Sequence, residues 1–347
     1  MTVDPRAGAE LRERMARLIG GYQVSAAVGT VARLDVADAL AAGPLELEDL
    51  AETVGADPRS LGRVLRALDD TGLFTRDGDR VGLAPLGELL RSDVPGSARR
   101  AAEVSTQEWR WRAYGHLTHS VVTGEPAFRL AHGVGLWEFL AREPDAAAVF
   151  NASMDRVAAA NAAALVRDVD LSGIRRLIDV GGGHGVITRA VLEAVPAASA
   201  VIVDLPGVAE GARERMLEAG LADRCEVVAG DFFEAVPSGG DTHLLSWILH
   251  DWDDHAAARV LANCRSALAP GGRLLIVEMV VPGPGDPPDP VLDHLVKVAD
   301  LEMLVTVGGR ERTEAEYRGL LEGAGFALTR IVPLGGLPWS VIEAHPS

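Results

Sequence analysis

Residues Leu177 to Gly185 read Leu-Ile-Asp-Val-Gly-Gly-Gly-His-Gly, and an acid, Asp204, closes the next apolar run, Ala200-Val201-Ile202-Val203. A buried strand that breaks into glycines and then a helix brings bare backbone against a ligand, and a carboxylate ending the following strand can accept from ribose hydroxyls. This pairing points to a nucleoside-bearing cofactor. One strand further on, Gly230-Asp231-Phe232-Phe233 supplies an acceptor for an adenine amino group in Asp231 and a stacking face in Phe232. Alone, that stretch reads as an acidic turn followed by core aromatics. Its position beyond Asp204 favours the ligand, because ligands in open parallel sheets gather at the carboxyl ends of strands.

The glycine spacing narrows the cofactor. A dinucleotide turn, G-x-G-x-x-G, counted from Gly181 and Gly183 needs its third glycine at position 186, which is Val186. What stands there instead is Gly181-x-Gly183-x-Gly185 behind Asp179, similar to the first motif of S-adenosylmethionine (SAM) methyltransferases. The fourth strand then ends Leu245-Ser246-Trp247-Ile248-Leu249-His250-Asp251-Trp252-Asp253-Asp254. With this segment the chain resembles, over nearly its whole length, the small-molecule O-methyltransferases that include plant phenylpropanoid and flavonoid enzymes and actinobacterial polyketide-tailoring enzymes.

The resemblance implies a set of roles. His250 matches the general base, with Glu278 and Glu311 as the acids that orient it. Gly181, Gly183, Asp204, Asp231, Phe232, Ser246 and Trp252 match positions around the cofactor, although plant members usually carry lysine where Ser246 stands. Met154 matches a methionine near the acceptor, and Asp251 could touch a second substrate oxygen. Trp109, Met279 and Met303 are candidate pocket walls, each with ordinary core packing as the competing reading. The cofactor so implied is SAM, its product S-adenosylhomocysteine, and no metal is expected, since Asp253 or Asp254 at a helix start already has a capping explanation.

The chemistry of these residue types agrees. In-line methyl transfer from a sulfonium requires alignment of oxygen, carbon and sulfur, which can contribute about 7–11 kcal/mol. An ordinary histidine near pKa ~6.5 facing a phenol near ~10 leaves a gap of roughly 5 kcal/mol if the proton moves in advance, so proton loss is better coupled to attack. Neighbouring carboxylates would fix the imidazole tautomer and stabilise its cation.

Composition limits the alternatives. At 347 residues with 48% hydrophobic content, the chain can build two domains with full cores and no disulfide. Cys225 and Cys264 are its only cysteines, which fits a reducing cytoplasm. No charged segment followed by an apolar run opens the chain and no apolar stretch reaches about 18 residues, so a cytoplasmic protein with no membrane partner is expected. A net charge of −17 disfavours nucleic acid and suits a small neutral or weakly acidic aromatic substrate.

Three regions are expected to position the chemistry. Residues 1–100 read as a winged-helix-like dimerisation domain. Leu11, Met15 and Leu18 fall at helical spacing, Pro44 to Ala51 opens a short helix, Asp57-Pro58 caps another, and Phe74 to Val81 form a hairpin turning at Asp77-Gly78. The third helix carries Arg59, Arg63 and Arg66, but acids fill the rest of the module, so dimerisation and not DNA binding is the reading. Residues 101–170 read as helical and rich in aromatics, a linker and pocket region. From 171 to 347 strands (175–180, 199–204, 225–229, 242–248, 273–280, 327–333, 339–344) alternate with helices near 185–194, 207–219, 254–268, 290–305 and 313–324. That alternation predicts an α/β fold, a Rossmann-like class I methyltransferase sheet covered on both faces. Residues 282–288 read as a Pro/Gly loop.

Overall fold

The computed structural model describes residues 5–283, 285 and 289–347. The 282–288 loop therefore falls partly outside the described residues. The chain folds as two compact units, one of residues up to Trp111 with Ala148–Ser153, the other of Arg112–Ala147 with Met154–Ser347.

In the first unit, helices α1 (Pro5–Ile19), α2 (Gly21–Arg33) and α3 (Val36–Ala39) precede strand β1 (Leu45–Glu46) and helices α4 (Leu47–Thr53) and α5 (Pro58–Ala67). The hairpin of β2 (Phe74–Asp77) and β3 (Arg80–Leu83) follows, with sheet order β1-β3-β2, and α6 (Arg99–Ser105) comes after it. Asp57 caps α5 as expected, its carboxylate accepting from the Ser60 amide at 2.8 Å. Two local expectations shift. The hairpin turns on Gly78 and Asp79, because Asp77 still pairs with Arg80 in the ladder. The segment opening at Pro44 gives a two-residue strand before its helix begins at Leu47. Val31, Val36, Leu50, Leu65, Leu68 and Val81 form the core, whereas Leu11, Met15 and Leu18 of α1 lie more than half exposed.

Helices α7 (Glu108–Tyr114), α8 (Leu117–Thr123), α9 (Ala127–His132), α10 (Leu136–Arg142) and α11 (Pro144–Asp168) lead to the large sheet. There β4 (Arg176–Val180), α12 (Val186–Ala194), β5 (Ser199–Asp204), α13 (Pro206–Glu218), β6 (Cys225–Ala229), β7 (Gly240–Ser246), α14 (Asp254–Ala267) and β8 (Leu268–Val281) alternate. The chain finishes with α15 (Pro290–Thr306), β9 (Arg312–Thr313), α16 (Glu314–Gly323), β10 (Phe326–Pro333) and β11 (Trp339–Pro346). The order is β10-β11-β8-β7-β4-β5-β6, with β9 beside β8. The β6-β5-β4-β7-β8 stretch is parallel, and β11 and β10 return antiparallel.

Both faces are covered, as the near-continuous apolar strands require. Leu177, Ile202, Leu244 and Val277 pack under α11, α12 and α13 through Leu165, Val191 and Met216. Ile178, Val201, Leu245 and Ile276 pack under α14 and α16 through Val260, Leu261, Tyr317 and Leu321. Several strand ends differ from expectation. β8 starts at Leu268, through an irregular register that pairs Gly240 with Leu268. β7 stops at Ser246, because Trp247 takes a left-handed backbone, φ 56°.

Strand order reverses at β4. The chain runs outward through β5 and β6, then returns to β7 on the other side, which leaves a crevice beyond the carboxyl ends of β4 and β7. The glycine turn and the histidine segment leave the sheet at those two ends.

Candidate active site

The turn after β4 is held to the neighbouring strand by backbone. The Gly181 amide donates to Val203 O at 2.8 Å, and the Gly183 amide donates to Asp204 Oδ2, also at 2.8 Å. Asp204 Oδ1 accepts from the Leu205 amide at 2.7 Å. Burial raises the Asp204 carboxyl while these amide hydrogen bonds lower it. Gly183 has φ 56°, and a Cβ built on it would meet nothing within 4 Å. Bare backbone therefore faces open space beside a carboxylate. At Gly181 a Cβ would lie 2.4 Å from Ile248 Cδ1, so glycine there lets the segment after β7 close onto the turn. Asp179 stays inside: it is buried, accepts from Thr188 Oγ1 at 2.5 Å, and burial raises its carboxyl to about 7.

Aromatic rings stand beside this turn. Phe232 Cε1 lies 3.4 Å from the position of a Gly181 Cβ, and Phe232, Phe233 and Trp252 pack together, with Phe233 and Trp252 edge to face at 4.7 Å. Asn263 Nδ2 fixes the pair of phenylalanines by donating to Phe232 O and Phe233 O. Asp231 turns its Oδ1 to the Phe233 amide at 2.8 Å. Ser246 Oγ and Trp252 Nε1 are buried polar atoms with no protein partner. Orphaned donors, aromatic faces and a carboxylate around open backbone fit a nucleoside.

Beyond β7 a single 3-10 turn, Leu249–Asp251, carries His250. His250 Nδ1 lies 2.8 Å from Glu311 Oε1, and its Nε2 lies 3.6 Å from Asp251 Oδ1. The ring is buried, 7% exposed for the residue. Burial pulls the imidazole down, but the Asp251 and Glu311 carboxylates outweigh it and raise it to about 10. Burial likewise raises Asp251, to about 7. Glu278 does not reach the ring. Its Oε1 accepts the amides of Ile248, Leu249 and His250 at 3.1, 2.6 and 3.2 Å, and its Oε2 accepts the Tyr317 hydroxyl. It fixes the turn's backbone, where the sequence had it orienting the imidazole.

Residues 114–327 match the model of an O-methyltransferase domain, and residues 16–93 that of an O-methyltransferase dimerisation domain. The chain belongs to the O-methyltransferase family. It is 40% identical to the phenazine O-methyltransferase of Lysobacter antibioticus over all of both chains. The solved mitomycin 7-O-methyltransferase superposes with a TM-score of 0.91 at 35% identity, covering 99% of this chain and 100% of that one. An O-methyltransferase of neocarzinostatin biosynthesis, solved with SAM and 2-hydroxy-5-methyl naphthoic acid, gives 0.78 at 34% identity over 93% and 96% of the two chains. Other curated relatives carry N-methyltransferase names.

The methyltransferase sheet thus brings Gly181, Gly183, Asp204, Phe232, Trp252 and His250 to one end, with Asp231 and Ser246 at the ends of the flanking strands. Of the candidate wall residues, Trp109 is buried in the first unit, while Met154, Met279 and Met303 belong to the second. Met279 pairs with Trp339 in the ladder, and the Met303 carbonyl accepts the Val307 and Gly308 amides that end α15. Among the described residues no group of three or more His, Cys, Asp or Glu is arranged to hold a metal ion. Nor is any helix of the described residues long and apolar enough to cross a membrane.

Sequence reasoning missed three supporting side chains. Tyr317 is wholly buried and tied to Glu278. Asp300 Oδ1 accepts the Glu311 amide at 2.9 Å. Arg312, beside Glu311 in the chain, is 0% exposed. Only that adjacency hinted at Arg312. His184, given no role from the sequence, sits within the glycine turn, with Nδ1 3.1 Å from both oxygens of Asp155, which also accepts Arg215.

Proposed function

We propose that this chain is a homodimeric, SAM-dependent O-methyltransferase that acts on a phenolic hydroxyl of an aromatic natural product, with His250 as general base. The observation that carries the reading is one buried imidazole with a carboxylate at each nitrogen, set beyond the strand that adjoins the glycine turn. Dimerisation falls to residues 16–93, and the aromatic acceptor is supported by what the relatives methylate.

SAM would lie along the Gly181–Gly183 backbone, with Asp204 toward ribose hydroxyls, Asp231 toward the adenine amino group and Phe232 and Trp252 at its faces. When bound it supplies a methyl group made electrophilic by a sulfonium. The protein's own work is on the acceptor. Glu311 at Nδ1 keeps that nitrogen protonated and leaves Nε2 to take the phenol proton as its oxygen attacks. Asp251 beside Nε2 stabilises the cation so formed. With His250 raised to about 10, its proton affinity comes close to that of a phenol near ~10, so the transfer itself is nearly matched, while the neutral ring that accepts the proton becomes more abundant as pH rises.

N-methylation is the second reading, favoured by the names of some relatives. An aromatic amine attacks with its lone pair and needs no proton removed beforehand, so a base flanked by two carboxylates supports the hydroxyl. Purified protein incubated with SAM and candidate phenols should release S-adenosylhomocysteine, and His250→Ala should lower turnover by about 10²- to 10⁴-fold. Wild-type turnover in that variant, or methylation of amines alone, would reject the reading.

A further inference from the structure

The turn that carries His250 is gripped at both ends by buried side chains of opposite charge. Its free amides end on Glu278. Carbonyls at its start and just past its end accept from Arg312: Nη1 donates to Leu249 O at 2.9 Å, and Nη2 donates to Trp252 O at 2.8 Å. Nε and Nη2 also donate to Asp254 Oδ1 at 3.0 and 2.9 Å. A one-turn helix leaves almost all its backbone groups without internal partners, so their external partners decide where it sits.

Burying a guanidinium is costly unless every donor is used, and arginine is rarely found wholly inside a protein. Arg312 is wholly inside, and its bonds fall on Leu249, Trp252 and Asp254, all within four residues of His250. The same loop meets the turn in two further ways. The Arg310 amide donates to His250 O at 2.8 Å, and a Cβ at Gly309 would lie 1.9 Å from that oxygen and 2.4 Å from Asp251 C. Glu311, between Arg310 and Arg312, takes the ring itself. One short stretch of chain therefore fixes both the backbone and the imidazole of the base.

We propose that Arg312 is a positioning residue for methyl transfer, holding the carbonyls of Leu249 and Trp252 so that the His250 ring stays between Glu311 and Asp251. The inference rests on the reading of His250 as the base. Lysine keeps the charge but cannot span two carbonyls and a carboxylate at once. Arg312→Lys should lower kcat by roughly 10- to 100-fold, since small displacements of a reacting group have effects of that size. The KM for SAM should stay within about threefold.

A role confined to stability would lower Tm and leave the pH profile alone. Positioning predicts more: as the ring drifts from its carboxylates it gives up its proton at lower pH, so kcat should rise with pH earlier in Arg312→Lys than in wild type. The groups facing His250 are Asp251 and Glu311 at the ring and Glu278 and Arg312 along the turn, so the profile reports on this set. Asp254→Asn, changed at the exposed end of the guanidinium contact, should give a smaller change in the same two directions, and it decides the matter if Arg312→Lys does not fold. Wild-type kcat and pH profile in folded Arg312→Lys, or in Asp254→Asn where the lysine variant fails, would overturn the proposal. His250→Ala assayed alongside separates the two ideas: full activity there removes the base, whereas its loss with an unaffected Arg312→Lys removes only the positioning role.

Discussion

Two carboxylates face the two nitrogens of His250, and they do different work. Glu311 is hydrogen-bonded to Nδ1 and selects the tautomer, whereas Asp251 lies just beyond hydrogen-bond range of Nε2 and acts through charge. Both favour the protonated ring, so the neutral form is scarce at neutral pH and grows as pH rises toward about 10. The turnover of the wild-type enzyme should therefore climb through alkaline pH. In Glu311→Gln one of the stabilising charges is gone, so the ring releases its proton at lower pH and the rise should move down, toward the ordinary histidine range near ~6.5. The variant should also lose part of its maximal kcat, because the tautomer is no longer fixed. A pH series of kcat on both proteins checks this, and coincident profiles would show that Glu311 does not set the ionisation of the base.

At the scale of elements, the residue after β7 decides where His250 goes. Trp247 in a left-handed backbone is strained by about 1–3 kcal/mol, and its ring packs on Trp339 at 5.0 Å, while Ile248 and Leu249 join the core on the other face. The strand alternation breaks there and the 3-10 turn begins. Earlier on the same strand, His243 is wholly buried with neither ring nitrogen bonded, and burial pushes it down to about 4. An unfolded histidine titrates near ~6.5, so between these values the unfolded chain binds more protons and stability falls as pH drops, by up to about 3 kcal/mol. Above ~6.5 the contribution is fully present. Urea unfolding of wild type and His243→Leu should diverge progressively from pH 7 to pH 4, with the wild type losing more. Parallel pH dependence would contradict this assignment.

The sequence made these elements legible because apolar runs between glycine and proline punctuation leave little choice in an alternating α/β chain. β4, β5 and β6 fall within a residue of expectation, and Asp57 and Asp253 cap the helices they precede. The left-handed Trp247 leaves no mark in composition, so the expected end of β7, residue 248, lies two residues past the observed one. Arg312 and Tyr317 were illegible for another reason: an arginine or tyrosine on a short element reads as surface or core until distant segments supply its partners. Glu278 was found by resemblance, yet what it holds became visible only once the amides of residues 248–250 were placed around it.

At the scale of the whole molecule, helix α1 carries an apolar face left uncovered. Leu11, Met15, Leu18 and Ile19 of α1 are 56–70% exposed, and this helix overlaps the region matching the dimerisation domain. Clustered exposed apolar side chains on one helix mark an interaction face. Light scattering during size exclusion should give the mass of a dimer of this 36.6 kDa chain at micromolar concentration. Leu11→Asp with Leu18→Asp should shift it toward monomer, and a monomeric wild type would contradict the dimer.

Most directly at stake is whether His250 removes the acceptor's proton. Single-turnover methyl transfer by wild type and His250→Ala should be compared on a phenol that is neutral at the assay pH and on a nitro-substituted analogue that is already ionised. The account predicts a loss of about 10²- to 10⁴-fold with the neutral phenol and near wild-type rates with the phenolate. Equal losses on both acceptors, or none on either, would show that His250 is not the base.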